Sequence, residues 1–282
     1  MKNKHLLTAI VLLLFVSVSK AQDTTASNAK FSIYFENNSV YAGRKDSLTT
    51  PYLTPSIGYY HKSGFYASAD ASFLMRTGAS RLDLTSISAG YTHSFGNFTA
   101  NVSGRKYFYN NSSTNVKAEV TNEIDLSLTY EINNFSIWVE PGVYPGKNTD
   151  YYFISGIGKD FLIGEHFDLF ANYSFNAQTR NFYSDYYAKR RLRTRNGMIP
   201  VTVTAVVTDS DKMQVLSSDF SFPLTYTKNN WSFSFTPTYS IASNPAVLNL
   251  TFQPTIGPTI YKTIQEKISN TWWFSLEASF KL

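Results

Sequence analysis

The sequence predicts an all-β fold, a transmembrane antiparallel up-and-down β-barrel of about twelve strands, and three observations carry that prediction. Apolar residues recur with a period of two from about residue 30 to residue 282, with no sustained 3.6-residue stripe. Short and long connections alternate strictly between these segments, as they do when hairpins cross a bilayer. Aromatic residues make up 16% of the 282 residues while charged residues also reach only 16%, against about 25% charged in ordinary globular domains.

The chain opens with Lys2 and Lys4 before an apolar run at 6–18, and Ser19-Lys20-Ala21 then places small residues three and one before a cut. Residues 1–21 are therefore expected to be a secretory signal peptide, with the barrel occupying 22–282. The run is shorter than the roughly 20 apolar residues that a spanning helix needs. Removing Lys2, Lys4 and Lys20 lowers the formal charge from +5 to +2, so the basic balance is no nucleic-acid signal. With no Cys, disulfides, thiolate metal sites and lipidation of an N-terminal Cys are excluded.

Each expected strand follows from its alternation. Phe65, Ala67, Ala69, Ala71 and Phe73 share a face against Tyr66, Ser68, Asp70 and Ser72. A run at 116–132 places Val116, Ala118, Val120, Ile124, Leu126, Leu128, Tyr130 and Ile132 on one face, broken at Asn122, with Lys117, Glu119, Glu123, Asp125 and Glu131 opposite. The scheme repeats at 135–139, 167–175, 220–226, 231–239 and 274–282. Near Leu84 to Ile87 the phase slips by one, which a β-bulge explains, and 151–161 fits either phase. Tight turns are expected at 62–64, 95–97, 133–134, 163–165 and 228–230. Longer connections fall near 43–49, 77–81, 110–115 and 145–150, and the largest at about 179–212 and 244–270 carry β-rich stretches expected to form two tall extracellular hairpins.

Two arrangements can bury one face of such strands. A secreted β-sandwich would hide the apolar faces between two sheets. A membrane barrel turns them toward lipid, and the aromatics beside the short turns favour it: Tyr59, Tyr91, Phe98, Tyr130, Phe135, Phe167, Tyr226 and Trp231 suit a headgroup girdle. A spanning sheet leaves no open edge in hydrocarbon, so the last segment, FSLEASFKL at 274–282, is expected to pair with the first strand. That segment resembles the C-terminal signal of bacterial outer-membrane β-barrel proteins through Phe280 and Leu282. It departs in ending on Leu282 where many end in Phe, and in carrying Glu277 where many have Gly. The resemblance implies the outer membrane of a Gram-negative cell, recognition of Phe280 and Leu282 by the barrel-assembly machinery, and contact with outer-membrane lipid and lipopolysaccharide.

The inner face then carries Asp70, Glu119, Glu123, Asp125, Glu131, Glu140, Asp168, Asp219 and Glu277 against Arg76, Arg105, Lys117 and Lys281. As pore-lining residues these acids would favour cations; in a narrow barrel the same charges would pair and plug it. Lys189, Arg190, Arg191, Arg193 and Arg195 form a basic cluster in the largest loop, suited to lipid phosphates or simply solvated. No metal or cofactor spacing is present: the GIG at 156–158 lacks a third glycine and a following helix. Beyond the leader the histidines are His61, His93 and His166, all beside short turns, and His93 and Ser94 point to opposite faces of one strand. The leading expectation is a porin-like passive channel for small solutes. A closed barrel presenting its loops to glycans or partner proteins is the alternative, and an embedded hydrolase stands third.

Overall fold

The structure, a computed structural model, describes residues 26–45, 49–191 and 201–282. The expected signal peptide lies outside the described residues. The strands in chain order are β1 (Asn28–Glu36), β2 (Val40–Tyr41), β3 (Arg44–Lys45), β4 (Tyr52–Tyr60), β5 (Phe65–Leu74), β6 (Arg81–Phe95), β7 (Phe98–Tyr109), β8 (Asn122–Ile132) and β9 (Phe135–Tyr144). They continue as β10 (Asp150–Ile163), β11 (Phe167–Gln178), β12 (Val201–Val207), β13 (Gln214–Ser221), β14 (Leu224–Lys228), β15 (Trp231–Ala242), β16 (Val247–Pro254), β17 (Ile260–Gln265) and β18 (Thr271–Lys281). A helix, α1 (Asn181–Tyr186), runs into a π-helical turn, Tyr187–Arg191.

One sheet makes the wall. Its order is β10-β9-β8-β7-β6-β5-β4-β1-β18-β15-β13-β11, and β10 also pairs with β11, so the sheet closes on itself. β13 and β14 share one position, both lying between β11 and β15. The interruption between them contains Pro223, which has no N–H for a ladder. Twelve antiparallel positions thus form a cylinder whose ladders leave no open edge.

β18 pairs with β1, placing Phe280 opposite Phe31 and Ala278 opposite Ile33, while Lys30 Nζ bonds Glu277 Oε1 across the seam at 2.9 Å. The expected turns join the wall strands at one end. Asn133 and Asn134 adopt φ of 47° and 65°, the left-handed pair a two-residue hairpin needs.

The alternation becomes an outside and an inside. Phe65 is 63% exposed and Ile33 and Ile87 each 54%, whereas Ser240 and Ser279 on the other face are 1% and 6% exposed. Rings run along the short-turn end on the outer face: Phe65 against Tyr91 at 4.8 Å, Phe98 against Tyr130 at 4.6 Å, Phe167 against Tyr226 at 4.9 Å and Trp231 against Phe280 at 4.8 Å. An apolar belt with an aromatic rim is what a lipid-facing wall requires.

Three details refine the sequence reading. The bulge near Leu84 is real: Ser72 faces Leu84 but Phe73 faces Leu82, so Asp83 is the extra residue and turns inward to accept the Tyr52 hydroxyl at 2.5 Å. The ambiguous 151–161 segment sets Tyr152, Ile154, Gly156 and Gly158 opposite the inner-face residues Gly142, Glu140, Trp138 and Ser136. The expected strand at 116–132 begins only at Asn122, where the alternation broke. Before it, Asn115 and Lys117 carbonyls accept the Ala118 and Val120 N–H groups at 3.0 and 2.9 Å, winding 115–120 into turns.

The long-loop end also differs from two separate hairpins. β12 adds to the β16–β17 hairpin, forming one three-stranded sheet from both large connections. Ala205 lies opposite Leu250 and Val207 opposite Leu248, and all four are buried, so their apolar face drives the pairing.

Candidate functional site: the barrel interior and its cap

Register fixes the inner face. Asp70 lies opposite Ser56 and Ser86, Arg105 opposite Ser88 and Glu123, and Asp125 opposite Ser103 and Gly142. Glu140 lies opposite Ile154, Asp168 opposite Thr225, Asp219 opposite Ser174 and Ser240, and Glu277 opposite Tyr34 and Ser234. Serines serve these acids: Ser86 donates to Asp70 at 2.9 Å and Ser103 to Asp125 at 2.5 Å.

Three residues expected on that wall are placed elsewhere: Arg76, Glu119 and Lys117, the last in the loop before β8. Arg76 follows the end of β5 in the 75–80 turn, where its carbonyl accepts the Ala79 N–H at 3.0 Å. Glu119 belongs to the wound 115–120 segment and pairs with Lys189 at 3.3 Å. Conversely, Glu36, Asp150 and Asp160 join the inner face. Glu36 was readable from the Lys30, Ser32, Tyr34, Glu36 alternation, while Asp150 and Asp160 were hidden by the uncertain phase of their strand.

Inner-face glycines seat aromatic rings. A Cβ on Gly142 would strike the Tyr152 ring, and one on Gly156 would strike Trp138, so each ring lies directly over its glycine.

A cap fills the long-loop mouth. Val116 and Val120, Phe182, Tyr183 and Tyr186 of α1, and Ala205, Val207, Leu248 and Leu250 of the outer sheet form one buried cluster with Tyr107, Tyr144 and Tyr152 of the wall. Tyr183 and Leu248 are 0% exposed. Arg44 of β3 pins this cap: its guanidinium donates to the carbonyls of Ala42 (2.8 Å), Leu216 (2.7 Å), Ser243 (2.7 Å) and Asn244 (2.9 Å), with Glu266 at 3.5 Å. Arg180 donates to the same Asn244 carbonyl at 2.7 Å and to Gln214 at 2.9 Å; burial pushes its pKa down, with the nearby Arg44 charge adding to the effect. Sequence reasoning missed both arginines because each sits in a connection without periodicity.

Lys117 enters the mouth from the same loop. Its Nζ lies 3.0 Å from Glu123 Oε2 and 3.0 Å from the Tyr107 hydroxyl, and 4.7, 4.6 and 5.5 Å from the ring centroids of Tyr107, Tyr144 and Tyr41. Glu123 also accepts the hydroxyls of Tyr107 and, at 3.0 Å, Tyr152. Burial pushes the Lys117 pKa down, against the opposing pull of the Glu123 carboxylate.

The basic cluster is only partly in view. Lys189 pairs with Glu119 and Asp185, each at 3.3 Å, Arg190 and Arg191 lie in the π-helical turn, and Arg193 and Arg195 fall outside the described residues. His93 points outward between Tyr91 and Phe95, Ser94 bonds Thr99 at 3.0 Å, and His61 bonds Ser63 within its turn at 2.6 Å. Among the described residues no group of three His, Asp or Glu is placed to hold a metal ion.

No protein-family model and no curated protein matches the chain. Solved structures that resemble it include the NanC porin, at 8% identity and a TM-score of 0.49, covering 89% of this chain and 100% of that one. The KdgM porin aligns at 10% identity and a TM-score of 0.44, covering 90% and 98%. OmpF of Salmonella typhi aligns at 8% identity and 0.34, covering 91% and 97%. Likeness at this level carries no functional argument, and the assignment rests on the chain's own geometry. With a closed antiparallel wall, an apolar outer belt rimmed by aromatics and a polar inner face, this chain is a twelve-position transmembrane β-barrel.

Proposed function

We propose that the barrel resides in the bacterial outer membrane and passes small solutes, with an acidic interior that favours cations. The observation that supports this reading is the inner face itself: Asp70, Asp125, Glu140, Asp168, Asp219 and Glu277 share it, against Arg105, Lys30 and Lys281. Fixed carboxylates on a low-dielectric wall raise the local concentration of cations and repel anions. The same proposal includes removal of residues 1–21, reading of Phe280 and Leu282 by the assembly machinery, and contact of Lys189, Arg190, Arg191, Arg193 and Arg195 with lipopolysaccharide phosphates. A second reading, a closed platform for glycans or partner proteins, is favoured by the buried cap across the loop end.

Planar-bilayer recording separates them. Discrete conductance steps whose reversal potential in a salt gradient shifts toward neutrality in Asp70→Asn with Asp125→Asn support the channel. Silence of both the wild type and Lys117→Met, in which the cap loses its charged anchor, supports the platform.

A further inference from the structure

The groups that receive Lys117 come from four elements, Tyr41 of β2, Tyr107 of β7, Glu123 of β8 and Tyr144 of β9, with Tyr152 of β10 behind them bonded to Glu123. They hold one another without the lysine. The Tyr41 hydroxyl bridges Gln178 Oε1 at 2.6 Å and the Tyr144 hydroxyl at 2.8 Å, and Tyr144 stacks on Tyr152 with centroids 4.8 Å apart. Tyr152 rests over Gly142 and donates to Glu123 at 3.0 Å. Three electron-rich rings and one carboxylate therefore surround a point that an ammonium already fills.

That chemistry is selective. Ring faces attract a weakly hydrated organic cation, and a single carboxylate supplies the charge-assisted bond. An anion would meet Glu123 and the negative ring faces together. A bare alkali ion would lose its water for one carboxylate and rings that offer no further oxygen charge.

We propose that this cage is a recognition site for the ammonium group of amine-bearing solutes, and that Lys117 is a tethered stand-in which keeps the 110–121 loop seated until a solute amine displaces it. The selection of solutes rests on the channel reading above; the recognition itself does not. Lys117 holds its seat by high effective concentration, so a free amine competes poorly with the wild type and well once the tether is removed.

The test is chemical rescue of the full-length protein in detergent. Lys117→Ala keeps Cβ, and n-propylammonium supplies the missing atoms. Amide exchange at 114–121 should rise in the variant and fall back, saturably, on adding n-propylammonium chloride, while 1-propanol or equimolar sodium chloride leaves it high. Adding Glu123→Gln should weaken the rescue roughly tenfold, the loss expected from one charge-assisted bond. Rescue no better than with 1-propanol or sodium chloride, or equal rescue with Glu123→Gln, overturns the site. If Lys117→Ala fails to fold, as read by heat-modifiable gel mobility, the wild type decides: n-propylammonium raised well above the effective concentration of the tether must speed exchange at 114–121 beyond equimolar sodium chloride, and unchanged exchange at that concentration overturns the proposal. Saturable rescue in a protein that never conducts retains the recognition site while removing the channel reading.

Discussion

The Asp150 carboxylate, at the start of β10, accepts the Phe182 backbone N–H at 2.9 Å and so caps α1 from a separate part of the chain. Its other oxygen accepts the Asn181 N–H at 2.7 Å and the Thr179 hydroxyl at 2.6 Å. The residue before the helix, Arg180, makes no side-chain cap, so the first turn depends on Asp150. A helix of six residues has little stability of its own and exists because its tyrosines are buried and its N–H groups are met.

Asp150→Ala should therefore loosen the cap without opening the wall. The lost cap costs about 1–2 kcal/mol. Amide exchange at 181–187 should accelerate by at least roughly fivefold on that energy scale, with the wall strands unchanged. Equal protection in both proteins would mean that α1 is held by packing alone.

Arg44 supplies a larger prediction. Its guanidinium meets four carbonyls on three segments, and Arg44 is 4% exposed. Arg44→Met takes the donor from the buried Leu216 carbonyl and from Ala42 and Ser243, and the cation from Glu266, a loss of about 3 kcal/mol. Arg44→Lys keeps the charge but not the planar fork and should recover only part. Proteolysis of folded protein should cut within 243–270 fastest in Arg44→Met, more slowly in Arg44→Lys and slowest in the wild type.

These two residues mark where sequence reading stopped. The wall was legible because alternation is local: a period of two in Phe65 to Phe73 needs no knowledge of partners, and the phase slip near Leu84 located the bulge. The cap was not, because its logic is long-range. Val116, Ala118 and Val120 alternate like a strand, yet the Asn115 side chain accepts the Lys117 N–H at 2.9 Å and turns the chain, and burial against α1 makes the turn worthwhile. Asn122, where the alternation broke, was the readable trace of that boundary. Nothing in the spacing of Tyr41, Tyr107, Tyr144 and Tyr152 announces that they converge.

Gly142 tests how tightly the interior is built. Its missing side chain is the space that the Tyr152 ring occupies. In Gly142→Ala the ring must swing away and release Glu123, leaving a buried carboxylate one donor short at a cost of about 1–3 kcal/mol. The barrel should still form, since the backbone of β9 needs no left-handed conformation here. Denaturant titration followed by tyrosine fluorescence should show an earlier transition for the cap, and Gly142→Ala plus Tyr152→Ala, which removes the clashing ring, should not restore the carboxylate's lost bond.

The orientation of the wall gives the broadest prediction. Ile33 lies on the outer face of β1, opposite Pro55 and Ala278 and 54% exposed, while its neighbour Ser32 lies on the inner face opposite Ser56 and Ser279. An arginine in place of Ile33 would sit in hydrocarbon near the middle of a wall strand, costing about 2–4 kcal/mol, and the penalty should shrink for positions nearer the aromatic rim. Ser32→Asn adds a polar group to a polar interior and should leave folding nearly unchanged. Refolding into lipid vesicles, scored by heat-modifiable mobility across a urea series, compares them directly. Ile33→Arg should fold at markedly lower urea than Ser32→Asn. The reverse order would place the apolar rows inside the molecule, against one another, and would convert the cylinder's outside into its core.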